Sequence, residues 1–155
     1  MVTGHRRENF GDGFERICSA LKKISERSDV QIVYPVHLNP NVKKPVFRFL
    51  KNCNNIFLTV PQDYLSFVFL MLKAFLIITD SGGIQEEAIS INKPVLIIRD
   101  NTERQETVDI GAAKIVGTNT NRIVNEAEKL IEHHKKYCAM TKKKIHLEME
   151  WQVRK

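Results

Sequence analysis

"FLIITDSGGIQEEA", residues 75–88, runs from a short apolar stretch into Asp80, Ser81, two glycines and a pair of glutamates. A continuous apolar run, rather than an alternating one, is the mark of a strand buried on both faces. The glycines and the helix-forming residues after them then predict a strand–turn–helix unit. The same unit recurs along the chain. "VQIVYPV" (30–36), "NIFLTV" (55–60), "PVLIIRD" (94–100) and "AAKIVG" (112–117) are further Val- and Ile-rich runs, with helical patterns between them. Phe14, Ile17, Cys18, Leu21 and Ile24 mark one face of a helix from about Gly13 to Glu26. Phe47, Phe49 and Leu50 belong to a second helix, Leu65 to Leu72 to a third and Ile84 to Ile91 to a fourth. Ile123, Ala127, Leu130 and Ile131 predict a long final helix capped by Thr120 or Asn121. Such alternation predicts an α/β fold with a doubly wound parallel sheet.

Composition narrows the class. The 155 residues suffice for one core of ordinary size, and a hydrophobic content of 43% is that of a soluble globular protein. No apolar run is long enough to span a bilayer, so no membrane partner is expected. Charges at His5, Arg6 and Arg7 stand where the apolar core of a signal peptide would be, which predicts a cytoplasmic protein. Cys18, Cys53 and Cys138 are far apart and lack metal-ligand spacing, so they read as reduced thiols and no metal is expected. The net charge of +6 is dispersed apart from "KKK" at 142–144, and no aromatic residues interleave with it. A solvated basic surface is therefore favoured over nucleic-acid binding.

Four stretches follow strands and carry polar chemistry. In parallel sheets ligands sit beyond the carboxyl ends of the strands. Ser81, Gly82 and Gly83 would form a first helical turn whose free N–H groups attract phosphate, and Glu87 could accept hydrogen bonds from the two hydroxyls of a ribose. A Gly-rich turn with acidic residues complementing the helix dipole is the plain alternative. "TGHRRENFGDG" (3–13) sets His5, Arg6 and Arg7 beside a glycine turn. Arginine holds phosphate through paired N–H bonds, and His5 could act as acid, base or donor. Otherwise it is a solvated loop with Asn9 or Asp12 capping the helix. "VYPVHLNPNV" (33–42) supplies His37 and Asn39, and "IIRDNTERQE" (97–106) supplies Arg99, Asp100, Thr102, Glu103 and Arg104. A capping box from Thr102 to Gln105 is the structural alternative for the last. All four fall at the same edge of the predicted sheet, so they are expected to converge on one cleft.

With "TGHRRENFG", "YPVHLNPNV", "TDSGGIQEEA", "KPVLIIRDNTERQE" and "IVGTN" in order and at the family's spacing, residues 2 to about 140 resemble the C-terminal domain of the non-hydrolysing UDP-N-acetylglucosamine 2-epimerases. The resemblance implies a Rossmann-like half of a glycosyltransferase-B fold. The implied reaction inverts C2 of UDP-GlcNAc to give UDP-ManNAc, a precursor of bacterial surface polysaccharides, by elimination and re-addition of UDP without a dissociable cofactor. It implies that Ser81, Gly82 and Gly83 hold the diphosphate and Glu87 the ribose. Arg99 is then a further UDP-binding residue, and His5 is catalytic near the departing phosphate. Arg6 or Arg7 and His37 match residues that hold a second, activating UDP-GlcNAc in some bacterial members. It also implies a homo-oligomer for the complete enzyme.

Departures accompany the match. Ile89 and Asn92 stand in "AISINKP" where the family has Pro and Gly, and Gln105 stands where it has Pro. The family's N-terminal domain, with its acidic residues for proton transfer at C2, has no counterpart in residues 1–144, and "MVTG" reads as the end of a first strand. The chain is thus expected to supply the UDP-binding half and to be inactive alone. The alternative is a non-catalytic or split-gene module that pairs with a separately encoded N-terminal domain. Residues 145–155 form an atypical tail. Plausible codons for "KIHLEMEWQV" (144–153), read one base earlier, give Asn-Pro-Phe-Gly-Asn-Gly, the family's segment, so the tail is read as frame-shifted. A charged helical tail is the alternative, and the gene's nucleotide sequence decides between them.

Overall fold

The computed structural model describes residues 1–142; the tail from residue 145 lies outside the described residues. Its six strands are β1 (Val2–Thr3), β2 (Ile32–Pro35), β3 (Ile56–Thr59), β4 (Ile77–Thr79), β5 (Val95–Ile97) and β6 (Ala113–Ile115). Every pairing is parallel. One hydrogen-bonded set runs β1-β4-β5-β6 and another joins β2 to β3, with β2 lying beside β1. The spatial order is therefore 3-2-1-4-5-6, the doubly wound arrangement. Register is fixed by pairs such as Val2 with Ile78, Ile78 with Leu96 and Leu96 with Lys114.

Helices cover both faces, which explains why the strand runs do not alternate. On one face, α1 (Asp12–Ser25), α2 (Pro40–Leu50) and α6 (Thr120–Glu132) bury Phe14, Leu21, Val46 and Ile123 against Val2, Ile78 and Leu96. On the other, α3 (Tyr64–Lys73), α4 (Gly82–Ser90) and α5 (Gln105–Asp109) bring Met71, Ala88 and Ile89 onto Ile77, Val95 and Ile97. Successive residues of one strand thus feed two separate cores. Edge strand β3 is covered less completely, and its Phe57 is 47% exposed.

Several ends differ from the sequence expectation. The cap of α6 is Asn119, whose side chain accepts from the Arg122 amide; in "TNTN" each residue can cap, and the exit from β6 selects the second. The long final helix breaks at His133 and resumes as α7 (His134–Thr141). Helix α1 starts at Gly11, φ 75°, without a side-chain cap, so neither Asn9 nor Asp12 plays that part. The capping box from Thr102 does not form. Thr102 Oγ1 instead accepts from the Arg104 amide and donates to Gln85 Oε1 on α4. The buried face of α2 is Val42, Val46 and Leu50, while Phe47 is partly exposed. Asn92, where the family has Gly, takes the left-handed φ of 59°. Its amide reaches Ile89 O and the Lys93 amide reaches Ala88 O, closing α4 as glycine would, since Asn tolerates this region best after Gly.

Candidate functional site

Strand β4 ends at Thr79, and the next residue, Asp80, is fully buried. Carboxylates are seldom buried unless paired, and Asp80 is satisfied by the loop that follows β1. Its Oδ2 accepts from the His5 amide at 2.9 Å and the Arg6 amide at 2.8 Å, with Asn9 Nδ2 at 3.4 Å. His5 Nδ1 lies 3.6 Å from Oδ1. Asn9 is buried as well and donates to Ile98 O at 3.0 Å, so the loop is fastened to both β4 and β5. Thr3 and Thr79 hydroxyls, 2.7 Å apart, add a third tie beneath it.

The helix start is equally ordered. Ser81 caps α4, its Oγ accepting from the Ile84 amide. Its hydroxyl donates no hydrogen bond among the described residues. The Gly82 and Gly83 amides have no acceptor among the described residues. Gly83 is open, whereas a methyl on Gly82 would lie 2.6 Å from Glu103 Oε1, so a side chain there would displace the Glu103 carboxylate from its present position. Glu87 is half-buried on α4 and makes no side-chain hydrogen bond among the described residues; neighbouring Glu86 pairs with Arg104.

Arg99, only 7% exposed, extends from the exit of β5 into two carboxylates. Its Nε donates to Glu8 at 2.7 Å and its Nη1 to Glu103 at 2.5 Å. Glu103 also receives Arg6 Nη2 at 2.9 Å, so one carboxylate bridges two arginines. Glu8 and Glu103 hold the guanidinium above its ordinary pKa. Its own backbone amide, and then Arg99, hold the Glu103 carboxyl below the usual glutamate range. His5 and His37 stack with ring centroids 5.5 Å apart. His37 Nδ1 accepts from the Asn39 amide, which places the proton of its neutral form on Nε2. Arg7 is exposed in the short 3-10 turn Arg7–Asn9.

The four stretches therefore meet: His5 touches Asp80 and His37, Arg6 touches Glu103, and Glu103 lies over Gly82. Glu87 stands apart on the next turn of α4. Sequence reasoning gave Asp80 and Glu8 no part and Asn9 only that of a helix cap. The available signal was an Asp ending an apolar strand, a place where a carboxylate needs donors. A cavity of about 420 Å3 adjoins the site, lined by Glu8, Asn9, Asp12, Arg16, Asp100 and Thr118 among others. A larger one, about 500 Å3, lies at the opposite end of the strands among Met1, Ile24, Val30, Ile32, Phe75 and Leu76, far from these groups.

Fold and cleft together define a Rossmann-like α/β domain of the glycosyltransferase-B type. More narrowly, residues 1–148 match the model of the UDP-N-acetylglucosamine 2-epimerase family, and the chain belongs to that family. It is 60% identical to UDP-N-acetylglucosamine 2-epimerase of Yersinia pestis, over 92% of this chain and 38% of the relative. The Neisseria meningitidis UDP-GlcNAc 2-epimerase structure, bound to UDP-GlcNAc, is 45% identical with a TM-score of 0.88, over 90% of this chain and 38% of that one. The S. aureus MnaA structure with UDP is 42% identical with a TM-score of 0.88, over 92% and 39%. The chain thus spans well under half the length of these relatives. No helix among the described residues is long and apolar enough to cross a membrane.

Proposed function

We propose that this chain is the UDP-binding half of a UDP-GlcNAc 2-epimerase, acting on UDP-GlcNAc in the cytoplasm. The observation that carries the reading is the pair of unengaged amides at Gly82 and Gly83, set beside Arg6 and Arg99 at the carboxyl ends of β1, β4 and β5. Amides at a helix start and paired guanidinium groups are the donors that a pyrophosphate needs. Ser81, Gly82, Gly83 and Arg99 hold the diphosphate. Glu87, one turn along and without another partner, accepts the ribose hydroxyls.

His5 is held beside this seat by its amide bond to buried Asp80, with Nδ1 3.6 Å from the same carboxylate, and its Nε2 is the candidate group for the departing phosphate oxygen. Its task is to stabilise charge or to pass a proton as the C–O bond breaks and re-forms. Arg7 and His37, both exposed beside His5, are candidates for holding a second UDP-GlcNAc, with Arg6 divided between the two sites. Proton exchange at C2 requires groups outside this chain, so activity depends on a second domain that closes the cleft and excludes water. The complete enzyme is expected to associate, and apolar α3 residues such as Leu65, 79% exposed, offer surface for it.

The test is a calorimetric titration with UDP and UDP-GlcNAc, followed by an epimerase assay with and without an added N-terminal domain. Binding by the chain alone, with turnover only on complementation, is the expected result. Absence of UDP binding would sink the reading. Binding without complementable turnover would favour a non-catalytic nucleotide-sugar module, an alternative that the 38% coverage of the relatives keeps open.

A further inference from the structure

We propose that Glu103 is a specificity-determining residue: a built-in counter-anion that fills the phosphate seat until a diphosphate displaces it. The proposal rests on the reading of the site given above. Glu103 spends both carboxylate oxygens on the two arginines, Oε1 on Arg6 at 2.9 Å and Oε2 on Arg99 at 2.5 Å. The same Oε1 lies 2.6 Å from where a Cβ on Gly82 would stand, against the first residue of α4. A carboxylate is thus held where two guanidinium groups and a helix start converge, and a phosphate would use the same donors. The two anions cannot share the seat, because like charges in contact repel and Arg6 Nη2 and Arg99 Nη1 are already engaged by Glu103.

Mobility separates the partners. The Arg99 side chain is 8% exposed and is also held by Glu8 through Nε at 2.7 Å, so it stays when Glu103 leaves. The Glu103 side chain is 43% exposed and can swing into water, where a free carboxylate is well solvated. An incoming diphosphate replaces both lost bonds and also engages the Gly82 and Gly83 amides, which Glu103 leaves without a partner. Inorganic phosphate gains less over the carboxylate it must evict. Glu103 therefore guards the arginines against abundant small anions, and its return assists release of the nucleotide.

The experiment is calorimetry on the wild-type chain and Glu103→Gln with three probes: UDP, inorganic pyrophosphate and uridine. Loss of the competitor should tighten UDP and pyrophosphate roughly tenfold, the equivalent of about 1.4 kcal/mol, and leave uridine unchanged. Weaker or unchanged affinity for UDP and pyrophosphate in the variant, with binding by the wild type, overturns the proposal while sparing the site. Failure of both proteins to bind either anion overturns site and proposal together. On the wild type, 13C NMR of labelled glutamate offers a readout that needs no variant. The Glu103 carboxyl resonance should move to the position of a solvated glutamate as pyrophosphate is added, and a stationary resonance counts against displacement.

Discussion

At the carboxyl ends of β1, β4 and β5 lie His5, Arg6, Asp80, Arg99 and Glu103, every one engaged with another. At the amino ends of β1, β2 and β4 lies a largely apolar cavity of about 500 Å3 among Met1, Ile24, Ile32 and Leu76. The strands are only two to four residues long, and the two regions lie at their opposite ends. Their difference shows how a doubly wound sheet divides its tasks. Ile and Val in mid-strand hold the sheet between its helices, and the loops that follow β1, β4 and β5 carry the charged side chains. Changes at the amino ends should alter stability without altering ligand response, and changes at the carboxyl ends should do the reverse or both.

Ile32→Ala tests the amino end. Ile32 is 5% exposed and borders the cavity, so truncation enlarges an existing void. Chemical denaturation should show a loss of about 3 kcal/mol, with UDP affinity unchanged at a temperature where the variant is folded. A parallel loss of affinity would break the division. Asp80→Asn tests the carboxyl end. The amide keeps one acceptor for the His5 and Arg6 N–H groups but turns an NH2 toward the other contacts. A stability loss of about 2 kcal/mol should accompany a drop in UDP affinity. An affinity that survives would show that the loop holds itself. The smallest effect is the pH response of Glu103. Its carboxyl is held below the ordinary range, so its contribution is present above about pH 4.3 and lost as pH falls through its folded value. The melting temperature of the wild type should exceed that of Glu103→Gln at pH 7, with the gap closing in acid. A gap that does not narrow as the pH is lowered would mean that charge is not its source.

How much of this was legible in the sequence depends on the range of the interaction. The strand runs and helix faces were readable because burial on two faces leaves a continuous apolar signal within each segment. The convergence of the four stretches followed from topology alone. The cap at Asn119 was missed because four adjacent residues are chemically able to cap α6, and only the path of the chain leaving β6 distinguishes them. Asp80 was missed as a ligand of the His5 and Arg6 amides because those donors lie 75 and 74 residues away and are backbone groups, which no side-chain pattern announces. The bridge from Arg6 to Glu103 spans 97 residues and was hidden for the same reason.

Strand β1 pairs with β4 through Val2 and Ile78, partners 76 positions apart. On a ribosome adding about 5–20 residues per second, β1 would wait roughly 4–15 s for β4 to be made. Parallel sheets of such high contact order fold slowly for the same reason, since a long loop must close before its closure is rewarded. During that interval the apolar edge of the nascent sheet stays open to chaperones, or to the like edge of another chain.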